Sequence, residues 1–281
     1  MSTVRTGIIG GSGLYELGQQ PQEVRIQTPY GAPSAPIQIS SLGDSHAAFL
    51  PRHGKAHEFA PHLINYRANI FAMKSIGVEW LVGLNCAGSL SPEIHPGDIV
   101  ISDDFINYTI GRPDTFVRPG DLICLGMQHA FSAPLRRRLK EAAERAGLKV
   151  HHKATVAVIN GPRLSTPSES RRYSRDGCQI VNMTQYPECY LAKELGISYA
   201  SVTLITDYDS GVAGYQPVQL GEMKECFANN LWKLTEIVSE CFSQTDLSAD
   251  LDFQEEYRNS IVNGTFYGEQ ANEYKGQPGA H

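Results

Sequence analysis

Two acids one residue apart, Asp207 and Asp209, stand where an apolar β-type run from Ile197 to Ile205 gives out, in the string Leu204-Ile205-Thr206-Asp207-Tyr208-Asp209-Ser210-Gly211. In α/β proteins ligands bind in the crevice beyond the carboxyl ends of the strands. A carboxylate at the edge of a core needs a partner to offset its desolvation. Beside a partly buried pocket it can carry a raised pKa and donate a proton. The same string also reads as a strand that ends and a turn that begins. A second candidate is Gly10-Gly11-Ser12-Gly13, which follows a short strand and could cradle a phosphate through backbone N–H groups and a hydroxyl. An ordinary glycine turn is the alternative. The dinucleotide fingerprint is not matched, since Glu16 follows and Tyr15–Gln22 is a poor helix, and no G-K-[ST] of a Walker loop occurs.

Arg52-His53-Gly54 pairs a guanidinium with an imidazole before a glycine, a combination suited to an oxyanion because the guanidinium fork binds phosphate oxygens bidentately. A surface salt bridge is the competing reading. His53, His57 and His62 invite a metal, but His57-Glu58-Phe59-Ala60-Pro61-His62 is one residue too long for H-E-x-x-H and Pro61 breaks the helix that motif needs, so no metal is expected. There is no G-x-S-x-G elbow and no cysteine in a protease context. Met183-Thr184 and Asn160-Gly161-Pro162-Arg163 lie at strand ends, where small polar groups can meet a ligand.

The elements that must position these residues alternate between β-type and helix-period segments, which predicts an α/β fold with βαβ units in one domain. Strands are predicted at Thr6–Ile9, as a hairpin over residues 34–50 broken at Gly43-Asp44, at Trp80–Leu84, Asp98–Ile101, near 149–159 and 179–182, and at Ile197–Ile205. Helices are predicted from Leu63 to Ser75, stopped by Gly77, from Leu135 to Ala146, over Cys189–Leu195, and from Leu220 to Cys241. Residues 111–132 read as irregular, and 244–281 as a polar extension with little reason for order at its end. The 281 residues, 41% apolar and 19% charged with net charge −6, describe a globular chain without the clustered cations a nucleic-acid surface needs. Arg136-Arg137-Arg138 falls inside a helix pattern and reads as a solvated face. No run approaches a membrane span and no signal-peptide pattern begins the chain. Six cysteines without a CxxC pair read as reduced thiols, so a cytoplasmic location is expected.

Taken together, Gly10-Gly11-Ser12-Gly13-Leu14, Arg52-His53-Gly54, Asn65-Tyr66-Arg67-Ala68-Asn69, Gly88-Ser89-Leu90, Pro96-Gly97-Asp98, Gly161-Pro162-Arg163, Asn182-Met183-Thr184 and Asp207-Tyr208-Asp209, in this order, are far more specific than any part. The chain resembles the methylthioadenosine phosphorylase branch of the trimeric purine nucleoside phosphorylase family over about residues 6–240. The resemblance implies a single α/β domain with a central mixed sheet flanked by helices, assembled as a homotrimer or a hexamer of trimers. It implies phosphorolysis of a nucleoside by inorganic phosphate as co-substrate, with no further cofactor. It places Ser12, Arg52, His53 and Thr184 at phosphate-binding positions and Asn85 and Cys86 at a strand-end pair touching phosphate and nucleoside. Met183 would lie beneath the ribose. Asp207, Tyr208 and Asp209 would face the purine, with Asp207 as the acid. An adenine-type base is expected, because ionised carboxylates accept from a 6-amino group and repel a 6-oxo group. Leu164 stands where the family often has phenylalanine and is shared with a 6-oxopurine branch, which keeps 6-oxopurine or methylthioinosine phosphorolysis as an alternative. A non-catalytic nucleoside-binding protein is the alternative of another class. Cys124, at a position where relatives carry a histidine, favours an apolar 5′ group. Leu220 and Met223 fit the same apolar pocket, or plain helix core.

Overall fold

The computed structural model describes residues 4–11, 21–42, 45–118, 125–216 and 219–243. Ser12, Cys124 and the extension 244–281 lie outside the described residues. In chain order the elements are β1 (Thr6–Gly10), β2 (Gln22–Val24), β3 (Ile37–Leu42), β4 (Ser45–Pro51), α1 (Tyr66–Ser75), β5 (Trp80–Ser89), β6 (Ile99–Ile101), β7 (Asp104–Asn107), α2 (Ala133–Arg145), β8 (Val150–His151), β9 (Thr155–Val158), α3 (Pro167–Arg175), β10 (Ile180–Asn182), α4 (Gln185–Glu194), β11 (Ser198–Tyr208) and α5 (Leu220–Ser243).

The strands form one mixed sheet between two helical layers. Side chains alternate across it with the period of two that strands impose. Ile9, Leu50 and Leu81 face α1 and α4, where Ile70, Phe71, Leu191 and Ala192 cover them. Ile8, Phe49, Trp80 and Val82 face α2 and α5, where Leu135, Leu139, Ile237 and Phe242 cover them. Helices on both sides bury the apolar residues of both faces of the sheet. No described helix is long and apolar enough to cross a membrane.

The sheet branches at β5. Along one edge its first half pairs with β1 in parallel, Thr6 opposite Trp80 through Ile9 opposite Gly83. On that side its far end pairs antiparallel with β10, Val181 opposite Gly88 and Ile180 opposite Ser89. Residues 84–87 therefore have no strand on that side, and the gap is where side chains can reach a ligand. The other edge of β5 carries β11 in parallel along its whole length, with an irregularity in register between Ile205 and Asp207.

Several boundaries differ from expectation, each for a physical reason. The first helix begins at Tyr66 because Asn65 caps it, accepting from the Ala68 N–H, and Leu63 is left outside at 61% exposure. Both β5 and β11 run further than their apolar stretches, since pairing with each other supplies hydrogen bonds past Leu84 and Ile205. The acids thus lie at and just beyond the end of a strand rather than in a turn. Helix α3 was not anticipated, although Thr166-Pro167-Ser168-Glu169 carries its signal: Thr166 and Glu169 form a reciprocal capping box with Pro167 at the first position. β2 and β7 are short, and their residues are mostly exposed or half-buried, so their sequences show little periodicity.

Candidate active site

A cavity of about 280 Å³ opens at the β5 gap and is walled by residues from widely separated parts of the chain. Arg52 and His53 follow β4, Asn85 and Cys86 lie on β5, Leu164 precedes α3, and Met183 and Thr184 join β10 to α4. Asp207 and Asp209 come from the end of β11, and Met223 from α5. Residues that the sequence scatters over more than 170 positions meet there because β1, β5, β10 and β11 end around one gap.

On the acidic wall, the irregularity in β11 decides the geometry. In a regular strand Thr206 and Asp207 would point to opposite faces; the extra residue lets both line the cavity. The Thr206 hydroxyl donates to Asp207 Oδ1 at 2.6 Å. Gly88 allows the close approach, since a Cβ there would sit 3.0 Å from Asp207 Oδ2. Burial raises the Asp207 carboxyl to about 6, Asp209 adds to the rise, and the Thr206 hydrogen bond opposes it. Asp209 is also raised by burial, while the nearby Ser165 and Ser170 hydroxyls favour its ionised form. Even so, Asp209 Oδ2 and both serine hydroxyls are buried without a hydrogen bond of full geometry. Two carboxyls whose environments differ, one of them poised near neutrality, form the pattern of an acid and its companion.

The opposite wall is polar and tightly wired. The Arg52 guanidinium is buried and committed: Nε and Nη2 donate at 2.8 Å to the two oxygens of Glu188, Nη1 to Leu84 O at 2.9 Å and Nη2 to Ile9 O at 3.0 Å. The bidentate grip on phosphate expected of Arg52 is therefore not available, because the fork already holds a carboxylate. Its charge still faces the cavity, held on by Glu188, which also accepts from Tyr199 Oη at 2.8 Å. Glu188 is fully buried and carried no sequence signal of its own, standing one residue before the helix expected over Cys189–Leu195; α4 begins earlier, at Gln185. His53 Nδ1 bonds Phe59 O at 2.8 Å, and burial together with Arg52 holds the imidazole below its ordinary value. Thr184 Oγ1 bonds Asn85 Oδ1 at 2.9 Å. Cys86 opens to the cavity but lies deep, where burial pushes its thiol up to about 12, so it stays a neutral thiol. Met183 forms part of the wall, and Gly161 has φ +64°, a backbone conformation that favours glycine, with the Met183 sulfur 2.6 Å from where a Cβ would stand.

Two expected contacts do not line the cavity. Tyr208 points to the other side of β11 from its acidic neighbours, stacks on Tyr215 with ring centroids 3.6 Å apart and bonds His95 through its hydroxyl. Leu220 starts α5 with 69% of its surface exposed, whereas Met223 and Phe227, a turn apart, reach the cavity. Leu164 lines the rim. Thr206, Asn182, Val181 and Phe227 were missed, being indistinguishable in sequence from core or cap residues. Among the described residues no group of three or more His, Cys, Asp or Glu side chains could hold a metal ion.

The Phosphorylase superfamily matches the chain over residues 5–243. The chain is 43% identical over 234 residues to the S-methyl-5′-thioadenosine phosphorylase of Thermococcus kodakarensis, covering 83% of this chain and 90% of that protein. It is 42% identical over 234 residues to the enzyme of the same name from Mycobacterium tuberculosis, covering 83% and 86%. Among solved structures, methylthioadenosine phosphorylase from Schistosoma mansoni in complex with adenine superposes with a TM-score of 0.87 at 32% identity, covering 92% of this chain and 99% of that one. With a family match over residues 5–243, 43% identity to a relative over most of both chains and a shared overall fold, this chain belongs to the phosphorylase superfamily.

Proposed function

We propose that the chain catalyses phosphorolysis of 5′-methylthioadenosine to adenine and 5-methylthioribose 1-phosphate, a pentosyl transfer that serves purine and methionine salvage. The observation that carries the reading is Asp207, a carboxyl raised to about 6 in a cavity whose other wall is polar and cationic. A phosphate oxygen forms its bond to C1′ as the C1′–N9 bond breaks, and that bonding pair leaves with the purine. Asp207 donates its proton to N7 as charge gathers on the five-membered ring, and the resulting carboxylate is reprotonated from solvent. Such general acid assistance contributes about 10²–10⁴-fold. The exocyclic amino group of adenine supplies the donor that Asp209 Oδ2 lacks. Phosphate is itself the nucleophile, so the reaction balances without a protein nucleophile or a further cofactor.

In this reading Ser12, Arg52, His53, Asn85, Cys86 and Thr184 hold the phosphate, Arg52 through its charge and the others through short polar contacts. Met183, Leu164 and Met223 pack against the nucleoside, and Asp207 and Asp209 read the base. Adenosine is a secondary substrate. The enzyme is cytoplasmic and a homotrimer, in keeping with unpaired reduced cysteines and an apolar rim. The test is phosphate-dependent base release from methylthioadenosine, adenosine, methylthioinosine and inosine at equal concentration. Methylthioadenosine is expected to lead. Preference for either inosine compound, the outcome Leu164 would favour, overturns the assignment of the base.

A further inference from the structure

The polar wall fixes which way its hydrogen bonds run. Gly83 O accepts only, and it lies 3.1 Å from the Asn85 amide, so the atom facing it is Nδ2 and the opposite atom is Oδ1. Oδ1 also accepts only. The Thr184 hydroxyl, 2.9 Å away, therefore donates to Asn85 and presents lone pairs elsewhere. The amide cannot turn over without breaking a buried chain: Nδ2 also donates to Ser201 Oγ at 2.8 Å, Ser201 and Thr203 hydroxyls lie 3.1 Å apart, and Gln185 Nε2 donates to Thr203 at 3.0 Å. The same reasoning applies at His53. Phe59 O accepts only, so Nδ1 carries the hydrogen, and the neutral ring turns a bare Nε2 away from it. A Cβ placed on Gly11 would lie 3.9 Å from His53 Cδ2, the carbon beside Nε2, and both residues line the cavity.

Resting on the phosphorolysis reading, we propose that Thr184 Oγ1 and His53 Nε2 are hydrogen-bond acceptors toward the bound anion. Asn85 is then the positioning residue that makes the site select tetrahedral oxyanions carrying their own hydroxyl. At neutral pH phosphate and arsenate carry one O–H as the monohydrogen dianion, which satisfies one of the two acceptors, or two as the dihydrogen anion, which satisfies both; sulfate has none and meets lone pair against lone pair. The committed Arg52 fork sharpens the selection, because a free guanidinium would bind sulfate and phosphate alike.

The test uses the full chain with methylthioadenosine and measures KM for phosphate and arsenate and the inhibition constant of sulfate. In the unaltered enzyme sulfate is expected to bind at least about tenfold more weakly than phosphate, the scale of one hydrogen bond gained or left unmade. Thr184→Ala removes one acceptor, and Asn85→Ala frees the Thr184 hydroxyl to rotate and donate. In both, the phosphate-to-sulfate preference is expected to shrink by about tenfold. If Asn85→Ala fails to fold in a thermal melt, Thr184→Ala alone decides. Sulfate binding as tightly as phosphate in the unaltered enzyme overturns the proposal. So does an equal weakening of both anions by Thr184→Ala, which would mean that the hydroxyl donates. Loss of nucleoside affinity alone, with the anion ratio unchanged, also overturns it and assigns the lone pair to a sugar hydroxyl. Absence of any phosphate-dependent base release sinks the functional reading instead, and calorimetric binding of phosphate and sulfate then still reads the selectivity.

Discussion

At the scale of single residues, catalysis and stability pull in opposite directions at Asp207. Its folded-state value of about 6 lies above the ordinary 3.8, so the folded protein holds this proton more tightly than the unfolded chain. The charged form therefore costs the fold stability, a cost that appears as pH rises past about 4 and is complete above about 6. Asp207→Asn keeps an acceptor for the Thr206 hydroxyl and removes the charge. It is expected to stabilise the ligand-free protein at pH 7 by about 1–3 kcal/mol, with the gain vanishing near pH 4, while turnover falls about 10²–10⁴-fold. Urea unfolding at several pH values and steady-state rates check both halves. Unchanged turnover removes Asp207 as the acid, and a destabilised variant at pH 7 contradicts its buried charge. Arg52 teaches a complementary point. Its type and its place before His53 suggested an anion site, but the fork's partner, Glu188, lies 136 residues away and only the fold brings it near.

At the scale of elements, the site depends on how strands end. β5 changes partner from β1 to β10 along one edge, and the irregular register of β11 turns adjacent residues toward the same cavity. Neither event has a signature in hydrophobic periodicity, which explains why β5 and β11 run past the stretches predicted for them. The helices other than α3 were more legible, because the apolar spacing that marks them and the glycines that stop them are local. Helix α3 sets Ser170 beside Asp209 and is held at its start by the Thr166–Glu169 box. Thr166→Ala is expected to lower stability by about 1 kcal/mol, with Thr166→Ser restoring most of it. Equal stability of the Ala variant in urea unfolding would show that tertiary packing alone holds the helix.

At the scale of the molecule, several large apolar side chains remain outside the core. Ile110 is 83% exposed and Leu63 61%, with Phe59 close by in sequence, while Pro61 lines the cavity and packs toward Gly161. Large exposed apolar groups are what a partner subunit covers. Light scattering is expected to give three times the mass of one chain, and Ile110→Glu with Leu63→Glu is expected to shift the mass toward one chain. A monomer in the unaltered protein would refute the trimer. The sequence by itself determined the α/β alternation, four of the five described helices and the short polar and glycine-bearing strings that carry the chemistry, because these depend on neighbours along the chain. Only the tertiary structure decided that Asp207 is held near neutrality, that the Arg52 fork is occupied, that Tyr208 turns away and that the Thr184 hydroxyl points at Asn85. Each of those depends on desolvation or on a hydrogen-bond partner brought from far along the chain, and no local pattern of residues encodes that.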